Sequence, residues 1–207
     1  MAEPGYPRLY HFANSGNSYK IRLLFAELAR PYHSVLLDRY KREQKAPAYL
    51  AINPRGQVPA LETAPGKVLV ESAAILFHLA DGTAFLPADP WTRAQVVSWL
   101  LYEQEHLANQ GVGMAHYWVR VTGEFEAKAA EIAAARAKAA REFAYLEAHL
   151  KARDWLVGEE FSVADIAGYG YTHRAEISGV PLAPYPNVRA WHARIRARPR
   201  HIPFEKV

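Results

Sequence analysis

Five small residues, Asn14, Ser15, Gly16, Asn17 and Ser18, stand in a row between an apolar run and a periodic, helix-like segment. Hydroxyl and amide groups there can donate hydrogen bonds to an anion. The helix N-terminus beside them would add unpaired backbone N–H groups and partial positive charge. Capping a helix uses only one or two such residues. Ser18 is the better N-cap, and Gly16 would let the backbone approach a ligand closely. The alternative is that all five only make a turn.

Two further clusters have the same character. Gln57, Val58 and Pro59 precede an apolar run, and Pro59 also suits the start of an edge strand. Glu71 and Ser72 stand immediately before an apolar helical stretch, where Ser72 reads as an N-cap. Lys41, Gln44 and Lys45 lie in a polar loop, either as solvated charges or as partners for an anion.

The 207 residues contain no cysteine. That excludes disulfides, cysteine-ligated zinc and a cysteine nucleophile of the chain's own; any thiol must come from a ligand. We expect no metal centre. The net charge of +4 suits a small anionic ligand and is too weak to argue for nucleic acid. The first ten residues hold no apolar core, so no signal peptide is expected. No apolar run approaches the roughly 20 residues needed to cross a bilayer. These features predict a cytoplasmic protein with neither membrane nor nucleic-acid partner.

The elements that must position these residues fall into two groups. Residues 8–13 read as a strand, and Ile21, Leu24, Phe25 and Leu28 follow at helical spacing up to a stop at Pro31. Residues 32–38 read as a second strand and "PAYLA" as a short helix. "VPALET" and "KVLVE" flank a Pro65-Gly66 turn, and residues 72–80 form a helix. The predicted order is β-α-β-α-β-β-α over residues 1–82. A linker follows at 83–90, and residues 91–207 read as all helical. Within the latter, helices are expected over 91–118 and 124–150. Ser162 and Asp165 make a capping box with Phe161 and Ile166 as its staple. The arginines at 189, 194, 196, 198 and 200 spread around a last helix whose Trp191 and Ile195 face inward. A solvated face explains them better than a nucleic-acid site.

"NPRGQVPALE", "VESAAILFHLADG" and "FSVADI", in this order and spacing, resemble the glutathione S-transferase superfamily, and "SGNSYKIRLL" followed by "RPY" resembles its bacterial serine-type members. The resemblance implies an α/β thioredoxin-like domain followed by an all-helical domain, usually as a homodimer. It implies a glutathione site on the first domain and an acceptor site between the two. By this resemblance Ser15 is the hydroxyl that activates the glutathione sulfur and Asn17 a second sulfur-contacting side chain. His11, rather than Tyr10, occupies the register of the tyrosine-type members. Val58 precedes a cis proline, Pro59, and pairs through its backbone with the cysteinyl part of glutathione. Gln57 and Lys41 reach the glycine end. Ser72 holds the γ-glutamyl carboxylate and Glu71 the ammonium. Tyr102, His106, His116, Tyr117 and Trp118 are candidates for the acceptor pocket, with Tyr102 and His106 on one helical face. Aromatics on such a face can equally be core.

The expected activity is that of a glutathione transferase, with the thiolate attacking a small electrophile in detoxification chemistry. The alternatives are a glutathione-dependent peroxidase or disulfide reductase, and a non-catalytic glutathione-binding or interaction module. An isomerase is disfavoured, because Asn17 stands where the zeta-type isomerases carry a cysteine.

Overall fold

The structure is a computed structural model describing residues 5–207; the first four residues, part of the segment read as carrying no leader, lie outside it. The chain divides into two compact units. Unit 1 runs to Leu79 and takes in Arg200–Val207; unit 2 is Ala80–Pro199.

Unit 1 contains β1 (Arg8–His11), α1 (Gly16–Glu27), β2 (His33–Leu36), α2 (Pro47–Leu50), β3 (Ala60–Ala64), β4 (Lys67–Val70) and α3 (Ser72–Ala80). This is the expected thioredoxin-like order. The sheet runs β2-β1-β3-β4. β1 and β2 are parallel and need α1 as a crossover; β3 and β4 are antiparallel and need only the turn at Pro65-Gly66, where Gly66 has φ +73°.

Side chains alternate across the sheet. Tyr10 points to one face and packs with Tyr49 of α2, Ala60 and their aliphatic surround, Val35, Leu37, Ile52, Val58, Val68 and Val70. Leu9, paired with Leu61, points to the other, as does His11; both leucines are fully buried. On that other face lies α1. Beyond the apolar stripe read from its sequence, it also buries Lys20 and Arg22.

Three local expectations are corrected. Strand β1 stops at His11, not residue 13, and the carbonyls of Phe12 and Ala13 turn to the Arg22 guanidinium. Ser15, not Ser18, caps α1: its Oγ accepts the Ser18 N–H at 3.2 Å, while Ser18 Oγ turns back to accept from Phe12 N. Ser72 is the first helical residue of α3 rather than its cap, because the Glu71 carbonyl accepts the first helical bond, from Ile75 N. The stop of α1 also precedes Pro31. Arg30 N bonds to Phe25 O and Ala29 N to Ala26 O, a Schellman arrangement with Ala29 at φ +50°.

The last eight residues, counted in the sequence with the helical domain, lie against α1 in unit 1. Tyr19 Oη donates to Ile202 O at 2.8 Å, and Arg200 donates to Glu27 O at 3.1 Å.

Unit 2 is all helical: α4 (Pro90–Tyr102), α5 (Val112–His116), α6 (Ala129–His149), α7 (Val163–Thr172) and α8 (Pro186–Arg196), with π turns over Glu103–Asn109 and Tyr117–Thr122. The helical stretch expected over 91–118 is therefore interrupted. At the break a Cβ on Gly111 or Gly113 would lie 2.4 Å from the carbonyl oxygen of His106 or Ala108 respectively, so the two turns approach in a way only glycine allows. The capping box at α7 forms as read: Ser162 N donates to Asp165 Oδ2 at 3.0 Å and Ser162 Oγ accepts from Ala164 N. Trp191 and Ile195 of α8 are fully buried. Its arginines are less solvated than expected, since Arg194 pairs with Asp154, and Arg198, just beyond the helix, stacks 3.9 Å from the Phe161 ring centroid. Among the described residues no helix is long and apolar enough to cross a membrane.

Candidate glutathione site

The sheet register brings the three polar clusters of unit 1 together. Ala60, at the start of β3, pairs with Tyr10 near the end of β1 and with Val70 at the end of β4. Ser15–Asn17, Gln57–Pro59 and Glu71-Ser72 therefore emerge at one end of the sheet.

Ser15 is nearly buried at the N-terminus of α1. Its oxygen accepts the Ser18 N–H, which leaves the hydroxyl hydrogen to be donated. Asn17 lies two residues on, in the first turn of α1. Lys20 Nζ donates to its Oδ1 at 2.7 Å, and Ser72 Oγ donates to the same oxygen at 3.3 Å. An ammonium can only donate, so Lys20 fixes which way the Asn17 amide faces. The first turns of α1 and α3 contain no acidic residue, so neither positive helix end is neutralised from within.

The second cluster is held from behind. Tyr49 Oη at 2.6 Å and Asn53 Nδ2 at 2.8 Å both donate to Gln57 O. Burial pushes the Tyr49 phenol up to about 12, so it stays a donor. The Val58–Pro59 bond is cis. Lys45 Nζ donates to Arg55 O at 3.0 Å, and Gly56 fits beneath this loop with φ +58°. Lys41 instead faces Asp38, 3.7 Å away, and is exposed. At the third cluster Glu71 sits at φ +69°, a left-handed backbone that ordinary residues seldom adopt, and its carboxylate pairs with Arg55. Strain at such a junction is characteristic of binding sites.

Neither His11, in the register of the tyrosine-type members, nor Tyr10 beside it offers a phenol to this site. His11 is buried; its Nδ1 accepts from Arg22 at 3.3 Å, so its proton sits on Nε2, 2.7 Å from Ser34 Oγ. Burial, reinforced by the Arg22 charge, lowers its pKa to about 4 and keeps it neutral. Tyr10 lies on the opposite face and donates to Glu62; burial and then that carboxylate raise its pKa.

The acceptor candidates of unit 2 do not form one group. Tyr102 and His106 stack at 4.9 Å, as their spacing implied, and Tyr102 donates to Glu142 of α6 at 2.6 Å. Burial and then Glu142 raise the Tyr102 pKa. His116 is buried against Ser178, and Tyr117 packs edge-on against Trp118.

Sequence reasoning did not single out Lys20, Tyr49, Asn53 or Arg55. Arg55 and Asn53 lie inside the "NPRGQVP" stretch and were within reach of it. The link from Lys20 to Asn17 follows helical i, i+3 spacing, but a lysine fully buried in a helix leaves no mark in the pattern.

Comparison with known proteins bears on what this site handles. Residues 7–81 match the model of the glutathione S-transferase N-terminal domain and residues 98–199 that of its C-terminal domain. The chain is 32% identical over 196 residues to the disulfide-bond oxidoreductase YfcG of Escherichia coli, covering 91% of this chain and 90% of that one. A possible glutathione S-transferase from Rhodopseudomonas palustris superposes with a TM-score of 0.94 at 38% identity, over 97% of this chain and 98% of that one. A glutathione transferase from Burkholderia graminis, solved with two glutathione molecules per subunit, superposes with a TM-score of 0.84 at 26% identity, over 96% and 87% of the two chains. By its two domain matches and these relatives, the chain belongs to the glutathione S-transferase superfamily.

Proposed function

We propose that the protein is a glutathione transferase of the serine type. Unit 1 binds glutathione, and Ser15 holds its sulfur as thiolate for attack on a small electrophile. Free thiol has a pKa of about 8.5, so only a few per cent is thiolate at neutral pH. Lowering that value by about two units requires roughly 2.7 kcal/mol of preference for the charged form. A donated hydroxyl hydrogen, a helix N-terminus and a second donor at Asn17 are groups of the right kind. The thiolate then forms a bond to carbon and the leaving group departs with its electron pair.

In this reading the Val58 backbone pairs with the cysteinyl unit. Gln57 and Lys45 serve the glycine carboxylate, Lys45 being better placed than Lys41. The Ser72 N–H and hydroxyl take the γ-glutamyl carboxylate, and Glu71 takes the ammonium. The supporting observation is the Ser72–Asn17 hydrogen bond, which ties the carboxylate end of the site to its sulfur end.

A second reading, disulfide reduction, is favoured by the likeness to YfcG; with no cysteine in the chain, glutathione's own sulfur would do the redox work. There the glutathione thiolate attacks a disulfide sulfur and expels the other thiolate. A second glutathione then resolves the mixed disulfide and leaves as glutathione disulfide.

The test combines calorimetric titration with glutathione and two parallel assays, conjugation to an aryl halide and reduction of a small disulfide. Conjugation above the buffer rate supports the transferase, and disulfide reduction alone supports the second reading. Binding without either turnover means a binding module, and no binding overturns both readings. The same proposal carries a homodimer, so light scattering should return about twice the 23.3 kDa chain mass.

A further inference from the structure

Arg22 is about as buried as any side chain of unit 1, at 1% exposure; the Glu205 carboxylate favours its charge, and the hydrogen bonds of its guanidinium run to an imidazole and to backbone carbonyls. Desolvating such a group is expensive, so its bonds identify what it holds. Nη1 donates to His11 Nδ1 at 3.3 Å and to Phe12 O at 3.2 Å. Nη2 donates to Ala13 O at 3.4 Å and to Phe204 O at 2.7 Å. The guanidinium thus grips the end of β1 and the two residues that lead to Asn14 and Ser15. Its shortest bond goes to the C-terminal tail. Tyr19 and Phe204 flank it at 5.7 and 5.9 Å.

The location follows from helix geometry. Arg22 is seven residues after Ser15, two turns along the same face of α1, and long side chains point back toward the helix N-terminus. Phe12 and Ala13 have left the strand, so no sheet ladder orients their carbonyls. The rigid, planar fork does so instead.

We propose that Arg22 is a positioning residue for the thiol-activating loop, with the C-terminal tail as its anchor. The inference rests on the role given to Ser15 above. A displacement of the Ser15 hydroxyl by about 1 Å can lower a rate by about a hundredfold without removing any group that touches substrate.

The experiment follows thiolate absorbance of bound glutathione against pH in the wild type, Arg22→Met, Arg22→Lys and a chain ending at Pro203. That last chain removes the whole Phe204 side of the anchor, carbonyl and ring, together with the Glu205 charge, but keeps Ile202 and Arg200. Amide exchange at residues 13–16 is measured without ligand on the same proteins. Arg22→Met should raise the bound thiol pKa, lower kcat/KM about tenfold and speed exchange at residues 13–16, with exchange in α6 unchanged. The shortened chain should move the same readouts the same way by less, and Arg22→Lys should recover part of the loss. If Arg22→Met and the shortened chain lower only Tm, leaving pKa and loop exchange at wild-type values, the proposal is wrong and Arg22 is purely structural. Should Arg22→Met not fold, the shortened chain decides between these outcomes. A wild type with an unshifted thiol pKa would instead overturn the role of Ser15, and loop exchange alone would then judge Arg22.

Discussion

Two helices begin with serine caps, and they differ in what the cap leaves over. At α7, Ser162 is joined by Asp165, whose carboxylate accepts from Ser162 N, Leu156 N and Trp191 Nε1. That N-terminus is closed: its charge is neutralised and its bonds are internal. At α1, Ser15 caps alone, position N3 is Ser18 rather than an acid, and the Ser18 hydroxyl turns away to Phe12. That N-terminus is open toward the end of the sheet where residues 53–57, the cis proline and α3 converge. The same capping residue thus builds a core in one unit and, on the function proposed above, serves the glutathione sulfur in the other. What decides is the residue three positions later.

The largest effect should come from breaking the closed end. Asp165→Ala strands several buried donors and should cost about 3–5 kcal/mol in urea denaturation of the protein. It should leave the glutathione thiol pKa unchanged.

Next comes pH, because the two regions respond with opposite signs. Asp165 is raised from 3.8 to about 6 by burial, against its hydrogen bonds. Between those values the folded form binds more protons, so its contribution to stability falls as pH rises. His11 is lowered from 6.5 to about 4. There the unfolded form binds more protons, so its contribution is complete above pH 6.5 and is lost as pH falls through that window toward 4. Each amounts to roughly 3 kcal/mol at full span. Because His149 and His192 are also lowered by burial, the sign must be read from differences. His11→Gln keeps a donor for Ser34 and an acceptor for Arg22. Relative to wild type it should flatten the loss of stability between pH 6.5 and 4. Asp165→Asn should steepen it.

A smaller effect comes from making the open end resemble the closed one. Ser18→Asp places an acid at N3 of α1, as Asp165 is at α7. It should weaken glutathione binding about tenfold by calorimetry, because the added carboxylate competes for the same backbone N–H groups and repels the ligand. Unchanged affinity would separate glutathione binding from this helix end.

The smallest effect lies at the far end of α1. Ala29 is exposed and holds φ +50°, where glycine is favoured, so Ala29→Gly should raise stability by about 0.5–1 kcal/mol. Thermal unfolding that shows a loss instead would mean the methyl group packs.

Local signals carried most of the fold. The capping box, the Pro-Gly hairpin and the α3 stretch were legible because each is decided within a few residues. The choice between Ser15 and Ser18 was not, since both offer the same hydroxyl and only the exit of β1 selects one. The preference for Lys45 over Lys41 depends on where residues 53–57 fold back. The Arg22–Phe204 bond joins residues 182 apart, and nothing near either announces the other. The three clusters proposed for the site were singled out by resemblance. The bonds that lock them together, Lys20 to Asn17, Asn17 to Ser72 and Glu71 to Arg55, required the sheet register.

The most direct test of the open helix end is the pH titration of bound glutathione thiol, by thiolate absorbance, in wild type, Ser15→Ala and Ser162→Ala. We expect a pKa well below the free value of about 8.5 in wild type and in Ser162→Ala, and a return toward it in Ser15→Ala. An unshifted wild-type value, or a depressed value that survives Ser15→Ala, would contradict the assignment of thiol activation to Ser15.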